Sequence, residues 1–327
     1  MNRWLVPGLI LLLLVLSGAS LLAGTIWLSP GQTLAALLDP RPDLAQLVIV
    51  EVRLPRLVLA LLVGGILGLS GAVLQGLLRN PLAEPGLLGV SSGASLGAVI
   101  AIYYGFAASF ALATPLFGLA GALITIGVAL LLSRSGGTLS LILAGVAVST
   151  IASAGVTLAL NLAPNPFAAY EIMTWLMGSL SDRSWDHVLL AGPFIFVGGV
   201  MLLCTGRGLD ALALGERQAE SLGVDLTRVR LLALFGTALG VGAATAVTGA
   251  IGFVGLIAPH LICGFVGHRP GGTLIPATLA GAAIILAADI ATRVLRFGPD
   301  IKLGVFVSVI GAPFFLWLVI HVRRTVA

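Results

Sequence analysis

Leu5-Val-Pro-Gly-Leu-Ile-Leu-Leu-Leu-Leu-Val-Leu-Ser-Gly-Ala-Ser-Leu-Leu-Ala-Gly-Thr-Ile-Trp-Leu28 carries no charge. A helix that crosses the hydrocarbon core of a bilayer needs about 20 such residues. No water is present there to satisfy a backbone left outside regular structure, so a run of this kind becomes a helix. Arg3 before it and Ala19, Ser20 and Ala23 within it resemble the flanks of a signal peptide, but the run is too long for a signal-peptide core. It reads as a retained first span. The same pattern recurs near residues 57–78, 91–105, 115–133, 138–160, 187–205, 231–248, 251–267, 274–292 and 303–321, the third and eighth runs being short. The expected fold class is all-α: a polytopic membrane helix bundle of about ten transmembrane helices, one domain over 1–327.

Composition agrees. Hydrophobic residues make up 58% of the 327 and charged residues 9%, against about 25% charged in a soluble domain, which excludes an ordinary water-soluble enzyme and a disordered chain. Lysine occurs once, at Lys302 between Ile301 and Leu303, so the Gly-Lys-Ser/Thr of a P-loop is absent. The arginines are scattered between apolar runs, and no patch suited to nucleic acid forms. Cys204 and Cys263 lie far apart in apolar runs and read as packing residues. The isolated histidines offer no metal motif, and no catalytic constellation is readable. Asp289 is the exception inside a span, and Arg293, four residues on, is its expected ion-pair partner.

Ten spans put both termini on one side. Arginine is denser there (Arg207, Arg217, Arg228 and Arg230 in one loop) than opposite (Arg53, Arg56, Arg183, Arg293), so the termini are expected in the cytoplasm. The loop 207–230, GRGLDALALGERQAESLGVDLTRVR with the residue before it, mixes acids, arginines and leucines and is interrupted by Gly215 and Gly223. It reads as two small helices at the membrane surface. The opposite loop, 161–187, holds Pro164, Pro166, Trp175 and Trp185 and is expected to contain a short interfacial helix. Gly64 and Gly68, then Gly89, Gly93 and Gly97, then Gly236 and Gly240 repeat at four-residue spacing, which suits either packing within a bundle or a seam between subunits.

Several longer motifs carry a resemblance. Arg53-Leu-Pro-Arg56, Gly71-Ala-Val-Leu-Gln75, Arg79-Asn-Pro-Leu-Ala-Glu-Pro-Gly-Leu-Leu-Gly89, Trp175 with Gly178-Ser-Leu180 and Trp185, Leu214-Gly-Glu-Arg-Gln-Ala-Glu-Ser-Leu-Gly223, Gly249-Ala-Ile-Gly-Phe-Val-Gly-Leu-Ile-Ala-Pro-His260, Ala288-Asp289 with Arg293, and Gly311-Ala-Pro-Phe-Phe-Leu-Trp317 follow one another in order. Together they resemble the permease subunits of the ATP-driven importers for iron chelates, heme and cobalamin. The resemblance implies a multi-pass inner-membrane permease that pairs with a second copy of itself. It implies two cytoplasmic ATPase subunits, which bind the ATP and Mg, and a periplasmic substrate-binding protein; this chain would hold no cofactor, no metal and no catalytic residue. It also implies roles for residues. Arg53, Arg56 and Arg293 would receive acidic residues of the binding protein at the outer surface. Asn80 and Leu82 would form a cytoplasmic gate. Leu214, Gly215, Glu216, Ala219, Leu222 and Gly223 would couple to the ATPase. The chain departs from the family pattern at Cys263, where an arginine is usual, and at Lys302, where a proline is usual.

The leading expectation for cargo is a bulky metal chelate, heme or a ferric siderophore, with cobalamin as the alternative. Hydroxyls such as Ser91, Ser92, Ser149 and Thr150 would line a smooth path. In another class stands an ATP-independent secondary transporter, which would show intramembrane carboxylates and discontinuous helices at matching places in two inverted halves.

Overall fold

Each apolar run closes its own N–H···O=C bonds, because nothing else in hydrocarbon would. A computed structural model describes residues 3–24, 27–38, 43–110, 112–133, 138–295 and 301–326, and among them every regular element is helical. The principal helices are α1 (Leu5–Leu22), α2 (Leu54–Leu78), α3 (Val90–Tyr103), α4 (Ala113–Leu132), α5 (Thr138–Asn161), α6 (Trp185–Leu203), α7 (Leu226–Thr248), α8 (Val254–Cys263), α9 (Pro270–Val294) and α10 (Leu303–Val326). Eight are long and apolar enough to cross a membrane, while α3 and α8 are apolar but short. They occupy the ten places read from the sequence. Shorter helices lie at Pro30–Leu38, Pro166–Leu176, Gly206–Leu212 and Glu216–Ser221.

Two boundaries differ most from the sequence reading. The first helix stops at Leu22 instead of running to Leu28, because Ala23 turns to extended backbone (φ −79°, ψ 137°). The helical path of the second span begins before residue 57: Leu44–Gln46 is α-helical, Leu47–Arg53 is a π-helix, and α2 follows directly. Pro55 is therefore not the entry to a new helix but a residue just past a π-to-α junction. In the π register Leu54 donates to the Ile49 carbonyl. The next donor in line would be Pro55, which has no N–H. The indole Nε1 of Trp185 donates to the Val50 carbonyl instead, at 2.9 Å, so the acceptor that proline leaves open is satisfied from α6.

The core is built on α2. It is apolar nearly all round and buried nearly all round, as expected of a helix with neighbours on every side. Its closest partner is α9, antiparallel to it, with Gly64 against Gly281 and Gly68 against Ala277. A Cβ at either glycine would fall on the facing backbone carbonyl, so this close approach requires glycine. Gly93 and Gly97 meet α4 in the same way, and Gly236 meets Gly198 of α6. These small-residue motifs thus serve packing inside one bundle.

Two irregular stretches interrupt the helical layer. After α2 the chain turns at Arg79 (φ 47°) and reaches α3 through a 3₁₀ turn, Pro85–Leu88. After α7 it runs through Gly249 (φ 75°) and Phe253 (φ 66°) before α8 begins. The two stretches face each other: Pro85 packs on Gly255, and the Phe253 N–H points at the Glu84 carboxylate. Gln75 Nε2 reaches the carbonyls of Gly255 and Leu256, both at 3.4 Å. A cavity of about 110 Å³ bounded by Glu84, Ser91, Ile251 and Phe253 lies between them.

Candidate functional site

Three sets of residues, at two ends of the α2–α9 pair, carry the functional reading. At the first end Arg56 and Arg293 converge on Asp289, which is fully buried, and Arg53 lies beside them at the end of α1. Arg56 approaches Asp289 Oδ1 through Nε (2.9 Å) and Nη2 (2.8 Å), and Arg293 Nη2 meets Oδ2 at 3.0 Å. The pair expected between Asp289 and Arg293 is present, and Arg56 makes it a triad. Arg293 also donates to the Ser20 and Ala23 carbonyls (2.9 and 3.0 Å) and to Ser20 Oγ (2.6 Å). Arg53 donates to the Leu21 and Leu22 carbonyls. The last carbonyls of a helix have no partner within it and sit at the negative end of its dipole. Two guanidiniums satisfy them here, which explains why α1 ends where it does.

The sequence reading has these arginines projecting from an outer rim. The structure turns them inward: Arg53 is 5% exposed, and the side chains of Arg56 and Arg293 are 17% and 11% exposed. The reason is electrostatic and steric together. A buried carboxylate needs counter-charge, and the end of α1 offers a row of open acceptors within reach.

About 35 Å along α2 from this cluster, by helical rise, lies the turn with Asn80 and Leu82. Asn80 Oδ1 accepts from the Leu82 N–H at 2.9 Å, and the Asn80 N–H donates to the Gln75 carbonyl at 3.1 Å. Asn80 is thus a turn former, and Leu82 leans on the cluster of Phe253, Leu256, Ile257 and Leu318. The proposed gate residues are adjacent, and their turn is braced by α8.

The loop 207–230 folds as expected into two short helices, Gly206–Leu212 and Glu216–Ser221. Gly215 (φ 115°) and Gly223 (φ 80°) break the chain at either side of the second. Ala219 is buried, Glu216 pairs with Arg230 of α7 at 3.1 Å, and Leu214 and Leu222 are 65% and 66% exposed. Leu209 packs under Gly76 near the end of α2. The six residues predicted for coupling therefore form one small unit: two glycine hinges, an inner anchor at Ala219, Glu216 paired to α7, and two outward leucines.

Sequence reasoning missed Trp185 as the partner of Val50, Ser20 as a ligand of Arg293, and Asp210, which accepts from Arg269 Nε (2.8 Å) and the Gly271 N–H (2.8 Å). Motif spacing gave no signal for any of them, because each contact joins distant segments. Ser92 and Ser149, read as lining, share a hydrogen bond at 2.8 Å between α3 and α5. α3 and α8 are short, but each is a single α-helical segment, and among the described residues nothing relates them as matching places of two inverted halves. Full-length similarity decides between the classes.

The chain is 40% identical over 326 residues to the vitamin B12 import system permease proteins BtuC of Salmonella typhi and of Salmonella paratyphi A, covering 98% of this chain and 96% of theirs. A solved chain described as an inward-facing conformation of an ABC transporter of metal-chelate type superposes with a TM-score of 0.85 at 36% identity, covering 97% of this chain and 98% of that one. The FecCD transport family matches residues 10–321. A ten-place helical bundle with this loop, this turn and this arginine cluster, similar along nearly its whole length to such proteins, belongs to the FecCD transport family and is a membrane permease of an ABC importer.

Proposed function

We propose that this permease imports cobalamin across the cytoplasmic membrane, driven by ATP hydrolysis on two separate ATPase subunits and supplied by a soluble binding protein. The carrying observation is the 40% identity to vitamin B12 import permeases across 98% of the chain, which favours cobalamin over the heme or siderophore first expected. In this reading two copies enclose one path. The outward face of α5, with Thr150, Ser153 and Thr157 exposed, supports such a path. The Thr150 and Thr157 hydroxyls donate to carbonyls of their own helix (2.8 and 3.0 Å), so they offer a bulky ligand a polar but weakly binding wall.

The roles follow the two ends. Leu214 and Leu222 would enter a cleft of the ATPase, and Asn80 and Leu82 would close the path on the same side. At the other end, three arginines lie around one carboxylate, and two of them, Arg56 and Arg293, pair with it. That excess of positive charge supports docking of an acidic partner, with Arg56 the most accessible of the three. The test uses a strain lacking its own cobalamin permease, supplied with this chain, its ATPase and its binding protein. Labelled cyanocobalamin should accumulate and labelled hemin should not; the opposite preference would return the reading to an iron chelate.

A further inference from the structure

α9 begins at Pro270, and its N-terminal N–H groups need acceptors from outside the helix. Its own N-cap residue is Arg269, whose side chain can only donate. The acceptor comes from another element. Asp210, in the short helix Gly206–Leu212, takes the Gly271 N–H on Oδ1 at 2.8 Å. Its Oδ2 takes Arg269 Nε at 2.8 Å and Nη2 at 2.7 Å. Asp210 therefore caps α9 and binds its flanking guanidinium in one grip. Beside it the Gly206 carbonyl faces Gly271 so closely that a Cβ there would sit 2.7 Å away, and Leu209 lies on Gly76 of α2. The segment 206–212 thus holds the ends of both α2 and α9, whose glycine seam fixes them to each other.

We infer that Asp210 is a positioning residue for transport: it ties the ATPase-facing loop to α9, so that displacement of the loop moves the α2–α9 pair. An isolated exposed ion pair would contribute little. Asp210 differs because it also satisfies a backbone donor and joins two elements. The inference rests on the ATP-driven reading above, and it adds a residue that the coupling motif does not contain.

The experiment reconstitutes the permease with its ATPase in vesicles and measures cyanocobalamin taken up per ATP hydrolysed, alongside ATPase co-purification. Three variants separate coupling from mere helix capping. Asp210→Ala removes cap and tie. Asp210→Ala with Arg269→Asp gives α9 a cap from its own N-cap position but no tie. Asp210→Arg with Arg269→Asp restores both, with the charges exchanged. The first two should retain the ATPase yet transport roughly tenfold less per ATP, a typical size for a coupling between sites, and the third should regain most of it. A wild-type ratio in Asp210→Ala, recovery in the capped but untied variant, or no recovery in the exchanged pair would each overturn the inference. A wild-type permease that binds no ATPase would instead overturn the reading on which it rests.

Discussion

At Asp289 one buried carboxylate faces Arg56 and Arg293, while Arg53 lies beside them on the last carbonyls of α1. Removing the carboxylate would leave like charges facing one another in a place that water enters poorly. Breaking a buried pair from one side costs about 3–5 kcal/mol. Asp289→Ala is expected to lose stability of that size in unfolding from detergent, and a loss below about 1 kcal/mol would mean that the cluster is not held by its counter-charge. Half of this site was legible. Arg293 follows Asp289 by one helical turn, and that spacing is local. Arg56 and the Ser20 carbonyl reach the same place only through the register of α2 on α9 and the abrupt end of α1, which no local pattern encodes. The same limit hid Trp185, whose indole replaces a donor that Pro55 lacks.

Gly64 and Gly68 set how closely α2 and α9 lie, and through that the placement of everything at their two ends. Overpacking a tight contact costs about 1–3 kcal/mol. Gly68→Leu should fall in or above that range in thermal unfolding, while Gly18→Leu, on the open face of α1 where a Cβ meets nothing within 4 Å, should be near neutral. Equal effects would deny the seam its role. The loop 207–230 makes a different demand, since Leu214 and Leu222 are exposed outside the spans. Losing a buried apolar anchor costs about 1.5–3 kcal/mol, at least tenfold in affinity. Leu214→Asp and Leu222→Asp should each weaken ATPase co-purification by about that factor and leave the unfolding temperature unchanged; retention at wild-type levels would remove these leucines from the interface. Spans were readable because length and apolarity alone define them. The π turn before α2 and the late start of α8 were not: Glu51 and Arg53 break the apolar run ahead of α2, and both features arise from proline, glycine and contacts across the bundle.

For the molecule as a whole, two ends and a side are at stake. The arginine bias proposes that the termini and the loop 207–230 are cytoplasmic, which predicts that a cysteine at Ser181 reacts with an impermeant reagent from outside, and one at Ser221 only once the inner face is opened, in a background with Cys204 and Cys263 changed to serine. The reverse pattern would invert the bundle. Cargo was the least legible feature: small side chains and hydroxyls describe a smooth wall without naming what slides along it, and full-length similarity to vitamin B12 permeases supplied the direction. The most direct measurement places the reconstituted complex in vesicles, with cyanocobalamin and its binding protein on the side of the arginine cluster and ATP on the side of the loop. Uptake that requires ATP, and that stops when the ATPase cannot hydrolyse it, is the predicted result. Cobalamin uptake driven by an ion gradient without ATP, or no uptake with ATP on the loop side, would contradict it.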